Sequence, residues 1–262
     1  MADLKNIPPY PAAHGLLKGK TVLVTAAAGT GIGFAVAKRA AEEGAQVMIS
    51  DIHEGRINKA ADEIEAATGQ RPPTAICNVT DQAQVDALFA AAQAELGGAD
   101  IVINNAGLGG TANLMDMTDD QWSIVMDVTL NGCFRINRAA FQHMAPRGGG
   151  IVVNNASVLG WRAQQGQAHY AAAKAGVMAL TRCAGVEGAE HGIRVNCVAP
   201  SIAMHAFLEK VTTPELLAEL EAKEAYGRAA QVWEVANVMV FLCSDYSTYM
   251  TGETVSVSSQ RA

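Results

Sequence analysis

A phenol and an ammonium stand four residues apart in this sequence, at Tyr170 and Lys174. In a helix this spacing places both side chains on one face. The hydroxyl of Ser157 comes thirteen residues before the tyrosine. These groups could interconvert a ketone and an alcohol. Ser157 would hold the substrate oxygen, Tyr170 would give or take its proton, and Lys174 would stabilise the phenolate, while hydride passes directly between substrate and a nicotinamide. An ordinary solvated helix face is the alternative interpretation of the pair.

A glycine-rich loop, TAAAGTGIG at residues 25–33, follows the first apolar run and opens a helical pattern. Glycines let a backbone turn tightly and approach a phosphate, and a helix N-terminus adds free N–H groups. The loop therefore predicts a dinucleotide site. The loop residues expected at the cofactor are Thr25, Gly29, Thr30, Gly31, Ile32 and Gly33.

An acid, Asp51, follows the second apolar run. A carboxylate there can accept hydrogen bonds from a ribose diol and repels a 2′-phosphate. The loop contains no Lys or Arg, and the nearest basic residue after the acid is Arg56. NAD is therefore predicted over NADP. Capping of the next helix is a second role that Asp51 could have.

Short apolar runs alternate with longer helical patterns, and parallel strands need such crossover helices. The pattern predicts an α/β fold of Rossmann type, with a doubly wound seven-stranded parallel sheet and helices on both faces. The expected strands are Thr21–Thr25, Gln46–Asp51, Thr74–Asn78, Asp100–Asn104, Gly150–Asn154, Ile193–Val198 and Glu253–Val257. The expected helices include Ile32–Glu43, Ile57–Ala67, Gln84–Leu96, Asp119–His143 and His169–His191.

Two segments stand outside this alternation. Residues 1–16 contain Pro8, Pro9 and Pro11 and are predicted to form an extended N-terminal arm before a single domain at 17–262. Residues 203–228 are helical in composition and are expected to form a small lid over the carboxyl ends of the strands. A plain connecting helix is the alternative for the second segment.

The composition excludes several classes of function. The net charge is −7, from 19 Lys and Arg against 26 Asp and Glu, so nucleic acid is not an expected partner. Apolar runs stay far below the roughly 18 residues that a membrane helix needs. The five cysteines and six histidines do not occur at metal-ligand spacing, and we expect no metal. Scattered cysteines and an N-terminus without a signal-like pattern favour a soluble, cytoplasmic protein.

The chain resembles the short-chain dehydrogenases/reductases over roughly residues 17–257. The motifs that carry the resemblance are Asn104–Gly107 (NNAG), Ser157, the Tyr170/Lys174 pair, Arg194–Pro200 and Tyr249–Gly252. The family implies an NAD(P)-dependent oxidoreductase and a homotetramer. Its subunits would meet through the helices at 119–143 and 169–191 and through the C-terminal end.

The resemblance also implies roles for residues that spacing alone does not single out. Asn105, Ala106 and Gly107 would line the adenosine side of the cofactor, with Asn78 and Val79 beside the adenine. At the other end of the cofactor, Pro200 and Ile202 would lie near the nicotinamide, and Tyr170 and Lys174 would also contact the cofactor.

Three departures from the family pattern affect these expectations. Ala26 replaces the first glycine of the loop, and one residue is added before Gly31. Thr129 occupies the place of a fourth catalytic residue, usually Asn; it can hold a water through its hydroxyl but has no amide carbonyl. His205 stands where a nicotinamide-contacting Thr is usual, and it could contact substrate, contact cofactor or be merely solvated.

The expected substrate site is mostly apolar, which suits a bulky or alicyclic ketone. The residues expected at the substrate are Leu108, Leu159, Trp161, Met204, His205 and Phe207, for which local packing is the alternative role. Overall the chain is similar to 3-oxoacyl-thioester reductases. Within that group it resembles actinobacterial dehydrogenases that act on steroid-ring remnants (indane CoA thioesters).

Three hypotheses about function follow. The first is an NAD-dependent enzyme that interconverts a secondary alcohol and a ketone on a hydrophobic, CoA-linked substrate. The second is an NADPH-dependent 3-oxoacyl reductase, against which Asp51 argues. The third is an inactive nucleotide-binding assembly subunit, which the altered glycine loop and Thr129 suggest and the intact Ser157, Tyr170 and Lys174 oppose.

Overall fold

The computed structural model of the protein describes residues 5–206, 208 and 213–259. Seven parallel strands form one sheet in the order β3-β2-β1-β4-β5-β6-β9. These strands are β1 Thr21–Val24, β2 Gln46–Asp51, β3 Thr74–Ile76, β4 Ile101–Asn104, β5 Gly150–Asn155, β6 Ile193–Pro200 and β9 Thr254–Val257. The chain order reverses between β1 and β4, and at such a switch point the loops after the strands diverge and leave a crevice for ligands. The predicted fold class is confirmed.

The sheet is covered on both faces, which explains why its strands are nearly continuous apolar runs. Side chains alternate between the faces along each strand. Val22 and Val24 pack into one core cluster with α1 and its neighbours, whereas Leu23 between them packs into the cluster on the opposite face. All three are fully buried. The rigid centre of the sheet is the platform for the loops at its carboxyl edge.

Eight helices are described. They are α1 Ile32–Glu42, α2 Glu54–Thr68, α3 Gln82–Leu96, α4 Asp119–Met126, α5 Gly132–Met144, α6 Ala168–Ala189, α7 Pro214–Lys223 and α8 Val232–Cys243. The long helix predicted at 119–143 is interrupted, because Asp127–Asn131 forms a π-helical turn between α4 and α5. There the Gly132 N–H reaches back five residues to the Asp127 carbonyl. The spacing of apolar residues in the sequence does not reveal such a local change in helix geometry.

The N-terminal arm is pinned to α1. The Arg39 guanidinium donates to the carbonyls of Pro11 and Ala12 and to Glu43, at 2.7, 3.0 and 2.6 Å. Glu43 in turn accepts the backbone N–H groups of His14 and Leu16, both at 2.9 Å. Burial opposes ionisation of Glu43, but these amides and Arg39 outweigh it and lower the pKa of its carboxyl. The described part of the arm is therefore fixed by a buried ion pair.

The segment predicted as a lid contains α7 and a short two-stranded sheet. In that sheet β7 (Ala203–Met204) pairs in parallel with β8 (Ala230–Gln231), which brings the two ends of the segment together. Arg228 and Glu234 form an ion pair beside β8 at 2.7 Å. Residue 207 and residues 209–212 lie outside the described part of the chain.

None of the helices in the described ranges is both long and apolar enough to cross a membrane.

Candidate active site

Lys174 and Tyr170 lie on α6 at the carboxyl edge of the sheet. Lys174 is 3% exposed, and its ammonium donates to the backbone carbonyl of Asn155, at the end of β5, over 2.6 Å. The ammonium lies 5.5 Å from the centroid of the Tyr170 ring. Tyr170 is only partly buried. The four-residue spacing predicted that the two side chains share a helix face, and the structure adds that the ammonium is buried and held by β5.

Ser157 follows β5 directly and lies at the same edge. It caps the short 3₁₀ turn Val158–Gly160, in which its Oγ accepts the Leu159 N–H at 3.2 Å. The hydroxyl hydrogen is not used in that bond, so it can be donated to a substrate oxygen. Because Ser157 is two residues after Asn155, the strand that holds Lys174 also positions the hydroxyl.

The loop after β4, residues 107–110, packs against the same side chains. A Cβ on Gly107 would lie 3.2 Å from the Lys174 ammonium nitrogen, and one on Gly109 would lie 3.7 Å from the Tyr170 ring. Gly107 therefore allows a close approach that any larger residue would disturb. This places Gly107 beside Lys174, next to the candidate acid–base residue Tyr170.

Thr129 lies in the π-helical turn and is fully buried. Its hydroxyl accepts the Leu108 N–H at 2.9 Å and donates to the Leu108 carbonyl at 3.0 Å. The hydroxyl hydrogen of Thr129 is therefore used in the bond to the Leu108 carbonyl. Thr129 fixes the backbone of Leu108, and the catalytic role expected for it stays a prediction.

The glycine loop presents open backbone at the start of α1. Gly31 caps the helix without a side-chain bond, and the first turn contains no acidic residue. Gly29 has φ of +91°, and no atom lies within 4 Å of a Cβ built on Gly29 or Gly31. Thr30 is exposed and Ile32 is partly buried. Free N–H groups next to an open glycine surface fit a diphosphate.

Behind this surface the loop is tied to the start of the NNAG segment. The buried Thr25 hydroxyl accepts the N–H groups of Asn105 and Ala106 at 3.0 and 3.2 Å, so its described contacts are structural. Asn105 Nδ2 donates to the Ala26 carbonyl at 3.0 Å. A Cβ on Gly33 would lie 2.3 Å from that carbonyl oxygen. Gly33 therefore serves close packing of the helix against the loop.

Ala26, which replaces a family glycine, has φ of +50°. This left-handed conformation costs about 1 kcal/mol or more for a residue with a Cβ. The loop retains the backbone shape that suits glycine, and the alanine is strained within it.

Asp51 ends β2 and is 9% exposed. Its two carboxylate oxygens accept the N–H groups of Ala28 and His53, each at 3.1 Å. Burial raises the pKa of the Asp51 carboxyl, and the Ala28 N–H and the nearby Arg56 guanidinium offset only part of that shift. His53, not Asp51, caps α2. The acid thus ties the glycine loop to the turn before α2 and keeps lone pairs for further donors.

Asn78 and Val79, expected beside the adenine, form the turn after β3. Asn78 Oδ1 accepts from the backbone N–H and the hydroxyl of Thr80 at 3.1 and 2.9 Å. Val79 is 7% exposed and packs on Gly132, where a Cβ would lie 2.7 Å from its side chain. Both residues have clear structural roles in the described contacts.

The residues expected at the nicotinamide end lie at the end of β6 and shortly after it. Pro200 is buried, and Ile202 accepts the Ala230 N–H through its carbonyl at 2.9 Å. Met204 lies in β7 and is partly buried. His205 is also partly buried, and its Nδ1 accepts the Leu208 N–H at 3.3 Å. This histidine therefore has a structural partner.

The residues expected at the substrate do not all share one cavity. Leu108 is 39% exposed and Trp161 52% exposed. Leu159 and Trp161 line a groove of about 670 Å³ on the side of α6 that faces away from the tyrosine. The α6 residues in that groove are Ala168, Ala171, Ala172 and Ala175. Phe207, the sixth expected residue, lies outside the described residues.

Two polar residues at the site were not singled out from the sequence. Asn155 holds Lys174, and its own Oδ1 is buried without a hydrogen-bond partner among the described residues. His169 is 2% exposed, packs against Gly110 and also has a buried Nδ1 without such a partner. A polar residue at the end of an apolar strand was the available signal for Asn155.

The residues present fit a dinucleotide. The open glycine surface follows β1, and Asp51 ends the neighbouring strand β2, so both lie at the carboxyl edge of the sheet. No cluster of His, Cys, Asp or Glu within the described ranges could hold a metal ion.

Comparison with known proteins agrees with this geometry. A family model described as enoyl-(acyl carrier protein) reductase matches residues 26–259. The chain is 57% identical over 260 residues to a (5R,7aS)-5-hydroxy-7a-methyl-1-oxo-2,3,5,6,7,7a-hexahydro-1H-indene-carboxyl-CoA reductase of Mycobacterium tuberculosis, covering 98% of this chain and 99% of the relative. It is 36% identical to the 3-oxoacyl-[acyl-carrier-protein] reductase FabG of Thermotoga maritima, over 92% of this chain and 97% of FabG.

Solved structures are similar over almost the whole chain. A short chain dehydrogenase from Mycobacterium smegmatis has a TM-score of 0.88 at 52% identity, covering 99% of this chain and 100% of that one. A 7α-hydroxysteroid dehydrogenase complexed with NADH and 7-oxo glycochenodeoxycholic acid has a TM-score of 0.89 at 29% identity, covering 96% and 97%. The resemblance drawn from the motifs is thereby confirmed, and the chain belongs to the short-chain dehydrogenase/reductase family of oxidoreductases.

Proposed function

We propose that this protein interconverts a secondary alcohol and a ketone on a hydrophobic CoA thioester, with NAD as its cofactor. The observation that carries the proposal is the fixed Lys174 ammonium beside the partly exposed Tyr170 phenol, at the edge where the glycine loop opens.

Each side chain has a defined task in the reaction. The nicotinamide, when bound, donates or accepts the hydride. Tyr170 gives its phenolic proton to the ketone oxygen during reduction and takes the alcohol proton during oxidation. Ser157 donates a hydrogen bond to the same oxygen, and the Lys174 cation stabilises the phenolate left after proton donation. Asn155 holds that cation in place through its backbone carbonyl.

Asp51 supports the choice of NAD. The buried carboxylate would accept hydrogen bonds from the adenosine ribose, whereas a 2′-phosphate there would bring two anions together. Arg56 is the one cation that acts on Asp51 in the described chain, and it lies beyond the acid on the first turn of α2.

The CoA-linked substrate is inferred from the relatives. The Mycobacterium tuberculosis relative is named for a hexahydro-1H-indene-carboxyl-CoA substrate, and the FabG relatives are named 3-oxoacyl-[acyl-carrier-protein] reductases. Leu108, held by Thr129 beside the reacting groups, offers an apolar contact for such a ring.

Tyr170→Phe tests the mechanism. Loss of the phenolic proton should lower kcat by about 10²–10⁴-fold while NADH still binds, because the ring and Lys174 remain. The assay uses NAD with hydroxyacyl-CoA thioesters and alicyclic alcohols, and binding is followed by the quench of tryptophan fluorescence. Turnover that survives in Tyr170→Phe would contradict the mechanism.

The same titration separates the competing functions. Tight NADH binding with weak NADPH binding supports NAD, and the reverse preference favours a biosynthetic 3-oxoacyl reductase. Binding of neither dinucleotide would favour the inactive assembly subunit.

A homotetramer in the cytoplasm completes the proposal. Large apolar side chains on α4, α5 and α6 are exposed in the single chain, which suits helix packing between subunits. They are Trp122, Ile124, Phe134 and Val186. All five cysteines are free thiols, as suits a reducing compartment. A monomer in size-exclusion chromatography at micromolar concentration would contradict the assembly.

A further inference from the structure

Asn155 takes part in two hydrogen bonds that point in different directions. Its backbone carbonyl accepts the Lys174 ammonium at 2.6 Å. Its side-chain Nδ2 donates to Asn105 Oδ1 at 2.8 Å, across fifty residues of sequence. The register explains this meeting, since Asn104, the last residue of β4, lies opposite Asn154 of β5, and Asn105 and Asn155 are the residues that come directly after them.

Asn105 extends the connection to the glycine loop. It accepts from Asn155 through Oδ1 and donates through Nδ2 to the Ala26 carbonyl at 3.0 Å. The strained Ala26 backbone therefore has its carbonyl fixed from the β4 side. Gly33 packs closely over the bond, since a Cβ there would lie 2.4 Å from Asn105 Nδ2. Three hydrogen bonds join the Lys174 ammonium to the loop expected to hold the phosphates.

The chemistry of this series requires a hydrogen-bond donor at position 155. Asn105 uses its donor on Ala26, so only its carbonyl oxygen faces Asn155, and the partner must donate. An apolar side chain could not donate. The asparagine also leaves its own Oδ1 buried without a partner among the described residues, a cost that an apolar residue would avoid. The hydrogen bond from Nδ2 to Asn105 is the stabilising interaction that offsets this cost.

We propose that Asn155 is a positioning residue that couples the glycine loop to Lys174. This inference rests on the proposed function, which places the dinucleotide on the loop and the proton chemistry at Tyr170. Asn155 acts through its neighbours: it fixes the ammonium by its carbonyl and the loop through Asn105. Loosening the side-chain bond changes cofactor affinity and rate together, although the residue has no part in the proton transfer itself.

Asn155→Leu tests the coupling, because it removes the side-chain donor and keeps the backbone carbonyl. NADH affinity, measured by tryptophan quenching, should fall about fivefold to thirtyfold, as expected for a bond of one to two kcal/mol. The KM for NAD should rise and kcat should fall, while the KM for the alcohol is unchanged. Asn58→Leu makes the same change on the exposed face of α2 and should leave all these values as in the unmodified protein.

Two further variants test whether the hydrogen bonds between Lys174, Asn155, Asn105 and Ala26 act together on NADH affinity. Asn155→Asp keeps the shape of the side chain but replaces the donor, so it should weaken NADH binding at least as much as leucine does. Asn105→Asp accepts from Asn155 but cannot donate to Ala26. If the bonds act in series, Asn155→Leu combined with Asn105→Asp should weaken binding little more than Asn105→Asp alone.

The outcomes separate this inference from the proposed function. Unchanged NADH affinity and unchanged KM for NAD in folded Asn155→Leu and Asn155→Asp would overturn the coupling while leaving the proposed function intact. Fully additive effects in the double variant would also overturn it. If the unmodified protein binds neither NADH nor NADPH, the proposed function itself fails.

Discussion

Two pairs of asparagines occupy successive positions where β4 and β5 end, and their surroundings differ. Asn104 and Asn154 point into the sealed core, where both are at most 2% exposed. There Asn154 Oδ1 accepts from Asn104 and from Asn137, at 3.1 and 2.9 Å. Asn105 and Asn155 point to the other face, where their bonds run to the glycine loop and to Lys174.

A shift of one residue along a strand separates the two surroundings, because successive side chains point to opposite faces. The core pair ties strands β4 and β5 to α5 and α6 through Cys133, Asn137 and Thr181. The edge pair ties the same strands to the ligand loops. Changes in the core pair should therefore appear in the free energy of unfolding, and changes in the edge pair in affinity and rate.

Asn154→Leu should give the largest effect. It leaves the donors of Asn104 and Asn137 and the hydroxyl of Thr181 without their partner in the core. We expect the free energy of unfolding to fall by about 3 kcal/mol, measured by urea denaturation. NADH affinity of the folded protein should stay within about twofold of the unmodified value. A loss of affinity without a loss of stability would remove the distinction between the two pairs.

Asp51→Ser should change cofactor choice at the same edge of the sheet. Losing a charge-assisted acceptor should weaken NADH binding by about tenfold or more, and removing the anion should improve NADPH binding. Fluorescence titration with both dinucleotides measures the change. Asp62→Ser on the exposed face of α2 is the matched control, and equal losses for NADH and NADPH would contradict the role assigned to Asp51.

Ala26→Gly examines the point where the edge pair meets the glycine loop. Glycine adopts the +50° φ of this position without strain, so the free energy of unfolding should rise by up to about 1 kcal/mol. The greater conformational entropy of glycine in the unfolded chain reduces that gain. Thermal denaturation measures the gain. Ala28→Gly, in the same loop at a residue outside the left-handed region, should not stabilise the protein.

The pH dependence of NAD binding should give the smallest effect. Burial raises the pKa of Asp51, so the carboxyl takes up a proton at a higher pH than an ordinary aspartate does. The ribose prefers the ionised acid, and affinity should therefore fall as pH drops through that raised value. The change should be smaller than that caused by Asp51→Ser, because the protonated carboxyl keeps its position and an acceptor oxygen.

The same group acts on folding with the opposite sign. A pKa raised in the folded state means that this carboxyl contributes more to stability as pH falls and less as pH rises.

Isothermal titration with NAD between pH 4 and 7, on the unmodified protein and on Asp51→Asn, measures the pH dependence of NAD binding. An equal pH dependence in Asp51→Asn would assign the effect to another group.

The strands, the glycine loop and the tyrosine–lysine pair could be predicted because each leaves a local pattern. Strand β1 is four apolar or β-branched residues, and Tyr170 and Lys174 share a helix face. The π-helical turn could not be predicted, since one extra residue in a turn leaves the apolar pattern nearly unchanged. The role of Asn155 depends on a partner fifty residues away, and strand register decides that meeting.

The structure separates some of the residues expected at the substrate, whereas Tyr170 and Lys174 lie together as their spacing predicted. Trp161 and Leu159 lie on a groove behind α6, and His205 caps a neighbouring backbone N–H. Loop side chains take their directions from packing that spacing does not encode, whereas Tyr170 and Lys174 take theirs from the periodicity of one helix.

The π-helical turn at Asp127–Asn131 also has a consequence for the history of the helix that contains it. Such a turn holds one residue more than an α-helical turn, and each residue rotates a helix by about 100°. Deleting one residue there would give a regular helix but would rotate α4 relative to α5 and separate Thr129 from Leu108. The extra residue therefore gives up regular winding and in return positions Thr129 to hold the loop beside Lys174.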